Sequence, residues 1–173
     1  MRIEIRIVGF GGQGVVLAGQ ILGRAAVIDG KNAVQTQTYG AEARGSAAKS
    51  EVIISGDKIG FPLVRRCDLL VAMNQEAVDK NIKDLKENGT LVVDSSNITN
   101  MPDTIATVIK VPATQISETS SGEKLYANMV ILGALIKATR IIGEKSMEKA
   151  IESSVPKKAT ATNLSAFEKG LAY

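Results

Sequence analysis

Along the first thirty positions, apolar and polar residues follow first a strand-like and then a helix-like pattern, which predicts a strand followed by a helix. Residues 2–8 alternate polar and apolar positions and then become apolar, as in a strand that enters a sheet. Residues 13–28 repeat apolar positions at helical spacing until Asp29 and Gly30, a helix-ending signal. The glycine-rich residues 9–14 connect them. Strand, glycine turn and helix therefore form the predicted opening unit.

A second pair of strands is predicted at residues 31–38 and 49–55, where Val, Ile and Thr alternate with polar residues. The segment between them is rich in small residues, and a glycine turn at 55–57 leads towards Pro62. This arrangement predicts a local β-hairpin beside the main sheet.

The remainder of the chain alternates apolar runs typical of buried strands with helical patterns. We predict strands at 67–73, 90–96 and 104–113, and helices at 74–88 (ended by Gly89), 122–140, 144–154 and 161–172. Such alternation is typical of βαβ units on a parallel sheet. The predicted fold class is α/β, a Rossmann-like three-layer domain with a mostly parallel sheet and a local β-hairpin. We expect residues 1–173 to form a single domain.

Composition restricts the chemistry more than it adds to it. The chain has no His, which excludes a Ser-His triad and a His-ligated zinc. A single Cys67 can hold neither an iron–sulfur cluster nor an internal disulfide. We interpret Cys67 as a small core residue, because it begins a predicted buried strand. No catalytic residue, metal site or redox centre is therefore assigned to this chain.

Charge and hydropathy point away from nucleic acid and membranes. The 21 basic and 18 acidic residues are spread along the chain and leave a net charge of +3, without a basic cluster. The N-terminus lacks the pattern of a signal peptide. The longest apolar stretch, YANMVILGALI, is shorter than the roughly 20 residues that span a bilayer. We expect a cytoplasmic protein without nucleic-acid or membrane partners.

The stretch VGFGGQG places Gly9, Gly11 and Gly14 at the G-x-G-x-x-G spacing of dinucleotide-binding loops. Glycines let a backbone approach an anion closely, and the N-terminus of the following helix attracts phosphate or carboxylate. Dinucleotide binding also needs an acidic residue at the end of the second strand. Asp29 lies before that strand, which ends in uncharged residues 35–38.

Three interpretations of the loop stay open at this point. An anion site for another ligand is favoured, a tight structural turn comes next, and an NAD or FAD site is the third. The bulky amide of Gln13 also departs from the small or apolar residue more usual in nicotinamide folds. The alternative function is thus a free-standing Rossmann-like module that binds NAD or FAD.

Two long segments carry a family resemblance that covers nearly the whole chain. The combination of VGFGGQGVVLAGQILGRAA with QTQTYGAEARGSAAKSEV resembles the gamma subunit of the 2-oxoacid:ferredoxin oxidoreductases. The segments GEKLYANMVILGALIKAT and VPKKATATNLSAFEKGLAY are also similar to that family. The loop sequence around Tyr39 to Glu42 is most similar to the 2-oxoglutarate branch.

The resemblance implies an accessory subunit that is inactive alone. Its complex converts 2-oxoglutarate and coenzyme A to succinyl-CoA and CO2, with electrons passed to ferredoxin. The implied partners are alpha and beta subunits, with a ferredoxin-like delta subunit in some complexes. Thiamine pyrophosphate, Mg and iron–sulfur clusters then belong to those partners, and only coenzyme A is a candidate ligand of this chain. A homodimer of the isolated chain is a further expectation.

Six residues form the candidate site for coenzyme A or another anion. They are Gly9, Gly11, Gly12, Gln13, Gly14 and Arg44. The Gln13 amide could bind a ligand or partner, or it could cap its own helix; the sequence leaves both open. Arg44 could pair with a carboxylate or phosphate, oriented by Glu42; a solvated loop is the alternative.

Three further positions complete the expectations. Asn128 lies in an apolar helix and should find a hydrogen-bond partner, such as the glycine loop. Tyr126 is expected in the core or an interface. Asp94 ends a predicted strand and is a weaker candidate for the same cleft.

Overall fold

A six-stranded sheet forms the centre of the computed structural model, which describes residues 1–41 and 45–173. The strand order across the sheet is β2-β3-β1-β4-β5-β6. The strands are β1 (Arg2–Phe10), β2 (Asn32–Tyr39), β3 (Ala47–Ser55), β4 (Cys67–Ala72), β5 (Leu85–Asp94) and β6 (Thr107–Val111). Strand β1 is parallel to β4, β4 to β5 and β5 to β6, whereas β3 is antiparallel to β1 and β2. The predicted hairpin is β2–β3, and it continues the main sheet rather than lying beside it.

Helices cover both faces of the sheet and confirm the α/β fold class. They are α1 (Val15–Ile28), α2 (Gln75–Asn81), α3 (Ala113–Ser121), α4 (Ala127–Thr139), α5 (Glu144–Ser154) and α6 (Lys157–Ala172). Alternate residues of β1 divide between the faces: Ile5 and Ile7 join the larger core with α1, α4, α5 and α6, and Val8 joins the smaller one with α2. Cys67 is fully buried in the smaller core, as expected.

Helix α4 is buried along nearly its whole length and packs closely on α6. A Cβ atom at Gly133 would collide with the Phe167 carbonyl, and one at Gly170 would collide with the Val130 carbonyl. The two glycines therefore permit the close approach of these helices.

The predicted helix over residues 74–88 is wrong in its second half. Helix α2 ends at Asn81, a 3₁₀ turn covers Ile82–Asp84, and β5 begins at Leu85. The cause is tertiary: Leu85 is buried in the smaller core and pairs with Cys67, whereas Leu69 pairs with Thr90. The extra residues between these two pairs form a bulge in β5. Gly89 lies in that bulge and does not end a helix.

Helix α3 is absent from the sequence-based expectations, which also begin the buried helix too early. The segment Ala113–Ser121 is polar, and only Ala113 and Ser117 of it are buried. Its first turn is held by the carboxylate of Asp94, and it ends at Gly122, where φ is +77°. A 3₁₀ turn at Lys124–Tyr126 then leads into α4. A contact with a distant strand therefore fixes this helix.

Candidate anion-binding cleft

The glycine loop follows β1 at the carboxyl edge of the parallel strands. From β1 the chain passes through α1 to β2 on one side of the sheet, whereas β4 lies on the other side of β1. Open α/β sheets bind ligands where the strand order reverses in this way. The sequence therefore places its glycines at the position that the fold favours for a ligand.

The backbone of the loop takes conformations that suit glycine. Gly12 has φ +92°, and Gly14, which precedes α1, has φ +71°. The Gly11 N–H donates to the Ser46 carbonyl at 2.8 Å, and the Gln13 N–H donates to the Phe10 carbonyl at 3.1 Å. Helix α1 has neither a side-chain cap nor an acidic residue in its first turn. Its first N–H groups and its helix dipole therefore favour an anion at this end.

Gln13 connects the glycine loop to the end of β4. Its Oε1 accepts from the Phe10 N–H at 2.7 Å and from Nδ2 of Asn74 at 2.9 Å. Its Nε2 donates to the Met73 carbonyl at 3.2 Å. The side chain does not cap α1, so the helix-cap interpretation of Gln13 is wrong. Its amide instead holds two adjacent strand ends in register.

The polar contacts continue from Met73 to the start of α3. Asn97 Nδ2 donates to the Met73 carbonyl at 3.3 Å and to Oδ2 of Asp94 at 3.0 Å. Asp94 is fully buried and also accepts from the Thr114 hydroxyl at 2.5 Å and from the Thr114 N–H at 3.2 Å. Its carboxylate is thus committed to organising the loop after β5 and the first turn of α3. We name Gln13, Asn74, Asn97, Asp94 and Thr114 the amide network.

Asn128 ties α4 to the glycine loop, as predicted. Its side chain is buried, and Nδ2 donates to the Gly14 carbonyl at 3.2 Å. A Cβ atom at Gly14 would collide with this amide. Tyr126 is half-buried against the larger core, in keeping with its expected packing role.

A cleft of about 350 Å³ opens beside the loop. Its lining comprises Gly12, Gln13, Met73, Asn97, Thr114, Lys124, Leu125 and Ala127. Lys124 is its cationic residue, and none of these lining residues carries a carboxylate. Sequence reasoning did not single out Lys124, although it lies in the segment that carries the family resemblance. The cleft combines glycine backbone, amide groups and one ammonium, a set suited to an anionic ligand.

A second depression of about 280 Å³ lies on the α2 side of the sheet. It is lined by the strand ends at 38–40 and 47–49 and by α2 residues that include Glu76 and Lys80. Arg44 and Glu42 belong to the connection between these strand ends but lie outside the described residues. Of the six candidate residues, Gly12 and Gln13 line the cleft beside the loop, and Gly9 lines the second depression. The roles of the loop glycines and of Arg44 in ligand binding stay predictions.

Sequence reasoning missed a buried ion-pair cluster under the sheet. Arg6 is 4 % exposed; its Nε lies 2.8 Å from Oε1 of Glu51, and its Nη1 lies 2.5 Å from Oδ2 of Asp84. Burial acts to lower the pKa of Arg6, but the two carboxylates outweigh it and the pKa is raised. An arginine between Ile5 and Ile7, in a strand predicted to be buried, was the available signal. We name Arg6, Glu51 and Asp84 the ion-pair cluster.

The thiol and the carboxylates of the described residues offer no separate centre of reaction. Burial raises the pKa of the Cys67 thiol to about 11, so the thiol is protonated at neutral pH. In the described part of the chain, no group of three or more His, Cys, Asp or Glu residues could hold a metal ion. Nor is any described helix long and apolar enough to cross a membrane.

Comparison with known proteins places these features in a family. The model of the pyruvate ferredoxin/flavodoxin oxidoreductase family matches residues 4–173. This chain belongs to that family of oxidoreductase subunits, which confirms the resemblance noted in the sequence.

Two relatives and two solved structures show which members of this family the chain is similar to. The chain is 51 % identical to a 2-oxoglutarate synthase subunit KorC of Methanocaldococcus jannaschii, over 98 % of this chain and 92 % of the relative. It is 45 % identical to the KorC subunit of Methanothermobacter marburgensis, over 98 % and 95 %. A keto/oxoacid ferredoxin oxidoreductase gamma subunit from Geobacter sulfurreducens is 43 % identical over 98 % of this chain and 96 % of its own, with a TM-score of 0.88.

The second structure is a 2-oxoglutarate:ferredoxin oxidoreductase from Magnetococcus marinus, solved with 2-oxoglutarate, coenzyme A and succinyl-CoA bound. It is 28 % identical over 99 % of this chain but only 30 % of its own longer chain, with a TM-score of 0.88. These likenesses support a subunit of a multi-subunit oxidoreductase and do not favour the free-standing NAD or FAD module.

Proposed function

We propose that this chain is the gamma subunit of a 2-oxoglutarate:ferredoxin oxidoreductase. The complex would convert 2-oxoglutarate and coenzyme A to succinyl-CoA and CO2 and pass the electrons to ferredoxin. The observation that carries the proposal is the 51 % identity, over 98 % of the chain, to a 2-oxoglutarate synthase subunit.

The partners proposed for the complex supply what this chain lacks. Alpha and beta subunits, with a ferredoxin-like delta subunit in some complexes, would hold thiamine pyrophosphate, Mg and the iron–sulfur clusters. The residues of this chain do not fit such a cluster, since its one cysteine is buried and protonated. We therefore route no electron transfer or decarboxylation step through this chain.

Its own contribution is proposed to be the binding of coenzyme A. The glycine loop and the uncapped start of α1 would receive phosphate or the pantetheine arm, with Lys124 as the cation at the rim. Gln13 would hold the loop in position, and Arg44 would contribute a second cation. The Magnetococcus marinus relative was solved with coenzyme A bound, which supports this ligand class.

The substrate is tested on the complete complex, purified from its source with its partners. Rates of ferredoxin reduction are compared with 2-oxoglutarate, pyruvate, 2-oxoisovalerate and indolepyruvate as alternative substrates. We expect 2-oxoglutarate to give the highest kcat/KM. A complex that prefers another oxoacid would refute the substrate assignment, and purification without any partner would refute the subunit assignment.

The coenzyme A site is tested with a charge reversal at the rim of the cleft. Lys124→Glu should raise the KM for coenzyme A by about tenfold, equivalent to roughly 1.4 kcal/mol, and leave the KM for the oxoacid unchanged. The matched control is Lys137→Glu, an exposed lysine of α4 away from the cleft. Equal effects of the two substitutions would contradict a coenzyme A site at this cleft.

A further inference from the structure

Strand β2 leaves one side of its backbone without a strand partner in the described part of the chain. It lies at the end of the sheet, next to β3. The Gly40 N–H donates to the Ala47 carbonyl at 2.7 Å, which fixes the hydrogen-bonding phase of the hairpin. In an antiparallel pair this phase alternates, so even-numbered residues of β2 bond to β3. Ala33, Gln35, Gln37 and Tyr39 therefore point their N–H and C=O groups away from the sheet.

The two edge strands of the sheet, β2 and β6, differ in how well they are protected against pairing with another strand. Strand β6 has five residues, includes Lys110 and is followed by Pro112, which are common devices against edge pairing. Strand β2 has eight residues, NAVQTQTY, without a charge, proline or glycine. A long, neutral and regular edge is a template for another strand.

The surface beside β2 is also partly apolar. Val27 and Ile28, at the end of the helix that packs on β2, are 60 % and 41 % exposed, and Tyr39 at the end of the strand is 57 % exposed. The nearby cation Arg24 already donates to the Ser153 carbonyl at 2.6 Å. Arg24 belongs to α1 and not to β2, so a strand that adds to β2 meets no charged side chain on the paired strand itself.

We propose that β2 pairs with β2 of a second copy of this chain, antiparallel and around a two-fold axis at Thr36. In this register Ala33 faces Tyr39 and Gln35 faces Gln37, so the outward backbone groups of one copy meet those of the other. Thr36 faces its own symmetry mate, a favourable cross-strand pair. No charged residue lies opposite a like charge, and the two-fold axis closes the assembly as a dimer.

The proposal goes beyond the subunit's function and makes one continuous sheet from two copies. Both copies place α1 on the same face of that sheet, because cross-strand partners lie on one face. The partly exposed apolar residues Val27 and Ile28 then lie along the junction. Neither the glycine loop nor the cleft belongs to the paired edge.

The test is sedimentation velocity of the isolated full-length chain and its variants. The native chain should sediment at twice its monomer mass of 18.3 kDa. Thr36→Lys places two ammonium groups opposite each other and should weaken dimerisation at least tenfold at low salt, with partial recovery at high salt. Within one copy this lysine lies across from Glu51, so the monomer tolerates it.

Gln37→Pro provides a second variant, since it removes an outward N–H and no bond to β3. It should also give monomers with an unchanged circular dichroism spectrum. Thr107→Lys, the same substitution as Thr36→Lys on the opposite edge strand, is the matched control and should remain dimeric. A native chain that stays monomeric, or a dimer that survives both β2 variants, would overturn the proposal. So would amide protection of β2 that arises only in the complete complex, because another subunit would then be the occupant.

Discussion

Two polar assemblies on the same sheet, the amide network and the ion-pair cluster, differ in burial and in role. In the amide network only Asn74 and Asp94 are buried, whereas the ion-pair cluster is built around the buried Arg6. The amide network joins the carboxyl ends of β1, β4 and β5 through short side chains beside an open cleft. The ion-pair cluster joins β1, β3 and the 3₁₀ turn before β5 under the sheet, around one guanidinium. The glycine loop itself is held by the neutral amides of Gln13 and Asn74. The one carboxylate of the network, Asp94, is fully buried and accepts hydrogen bonds from Asn97 and Thr114, so it does not line the cleft that we propose for an anion. The charged groups of the ion-pair cluster stabilise the fold only while each is paired, because loss of one partner leaves the others as unpaired charges.

The largest effect on stability is expected from a substitution that breaks the ion-pair cluster. Arg6→Ala leaves Glu51 and Asp84 without their common partner and should lower the free energy of unfolding by about 3 kcal/mol. Urea unfolding followed by circular dichroism measures the loss. The double variant Arg6→Met with Glu51→Gln should recover part of it, because fewer charges are then unpaired. A loss below about 1 kcal/mol would show that the cluster is only a surface-like ion pair.

A somewhat smaller effect is expected at Gly14. Gly14→Ala adds a Cβ atom against the Asn128 amide at a left-handed φ of +71°. It should cost about 2 kcal/mol of unfolding free energy, from strain and the displaced hydrogen bond. Gly30→Ala is the matched control, with φ +80° but open space around the added atom. Equal losses would mean that strain alone, and not the contact with Asn128, is responsible.

The amide network should respond through ligand binding as well as stability. Gln13→Ala leaves the Phe10 N–H and the Met73 carbonyl without the amide, which should cost about 1 to 2 kcal/mol of stability. In the complete complex it should also raise the KM for coenzyme A, whereas Arg6→Met should not. Enzyme kinetics together with thermal unfolding of the same preparations distinguish the two assemblies. A Gln13→Ala variant with native coenzyme A affinity would assign Gln13 to folding alone.

The smallest effect concerns Asp29, which holds the start of α5. Its carboxylate pairs with Lys31, which is the main reason that its pKa lies below the ordinary value of 3.8; Ser146 and Gly143 also contribute hydrogen bonds. A lowered folded-state pKa stabilises the protein above the ordinary pKa, and the benefit is lost as the pH falls through the folded value. Asp29→Asn should therefore cost less than about 1 kcal/mol at pH 7, and the cost should shrink as the pH falls below the ordinary value of 3.8 and through the folded-state pKa. A pH-independent loss would contradict this origin.

Local sequence patterns predicted those parts of the fold whose cause is local. The glycine turn, α1 and most strands follow from hydrophobic period and turn residues, and α5 was predicted at 144–154 as observed. Helix α3 and the true start of β5 depend on distant contacts, namely Asp94 with Thr114 and Leu85 with Cys67. Contacts between residues that are distant in the chain do not appear in the local hydrophobic periodicity, so the sequence pattern did not predict them.

In the candidate site, too, features with a local cause were predicted and features that depend on distant residues were missed. The loop glycines and the link from Asn128 were predicted, since an anion turn and an unpartnered amide are readable in a sequence. Besides the nearby Phe10, the side chain of Gln13 contacts Met73 and Asn74, which lie 60 and 61 residues away in the chain. The parallel pairing of β1 with β4 brings these residues together. Lys124 and Arg6 were missed for the same reason, because their significance comes from neighbours in space.

Hydrogen exchange of the complete complex, with and without coenzyme A, tests the central claim most directly. The backbone N–H groups of residues 11–17 should exchange more slowly when coenzyme A is present. The ligand would bind those N–H groups that have no partner within the chain, and it would also restrict opening of the hydrogen bonds that Gly11 and Gln13 donate to the Ser46 and Phe10 carbonyls. Amides of β3, in the same sheet but away from the cleft, serve as the internal reference. Slower exchange confined to the glycine loop and the residues that line the cleft is the predicted result. Unchanged exchange in residues 11–17, with coenzyme A bound to the complex, would contradict a role of this chain in holding it.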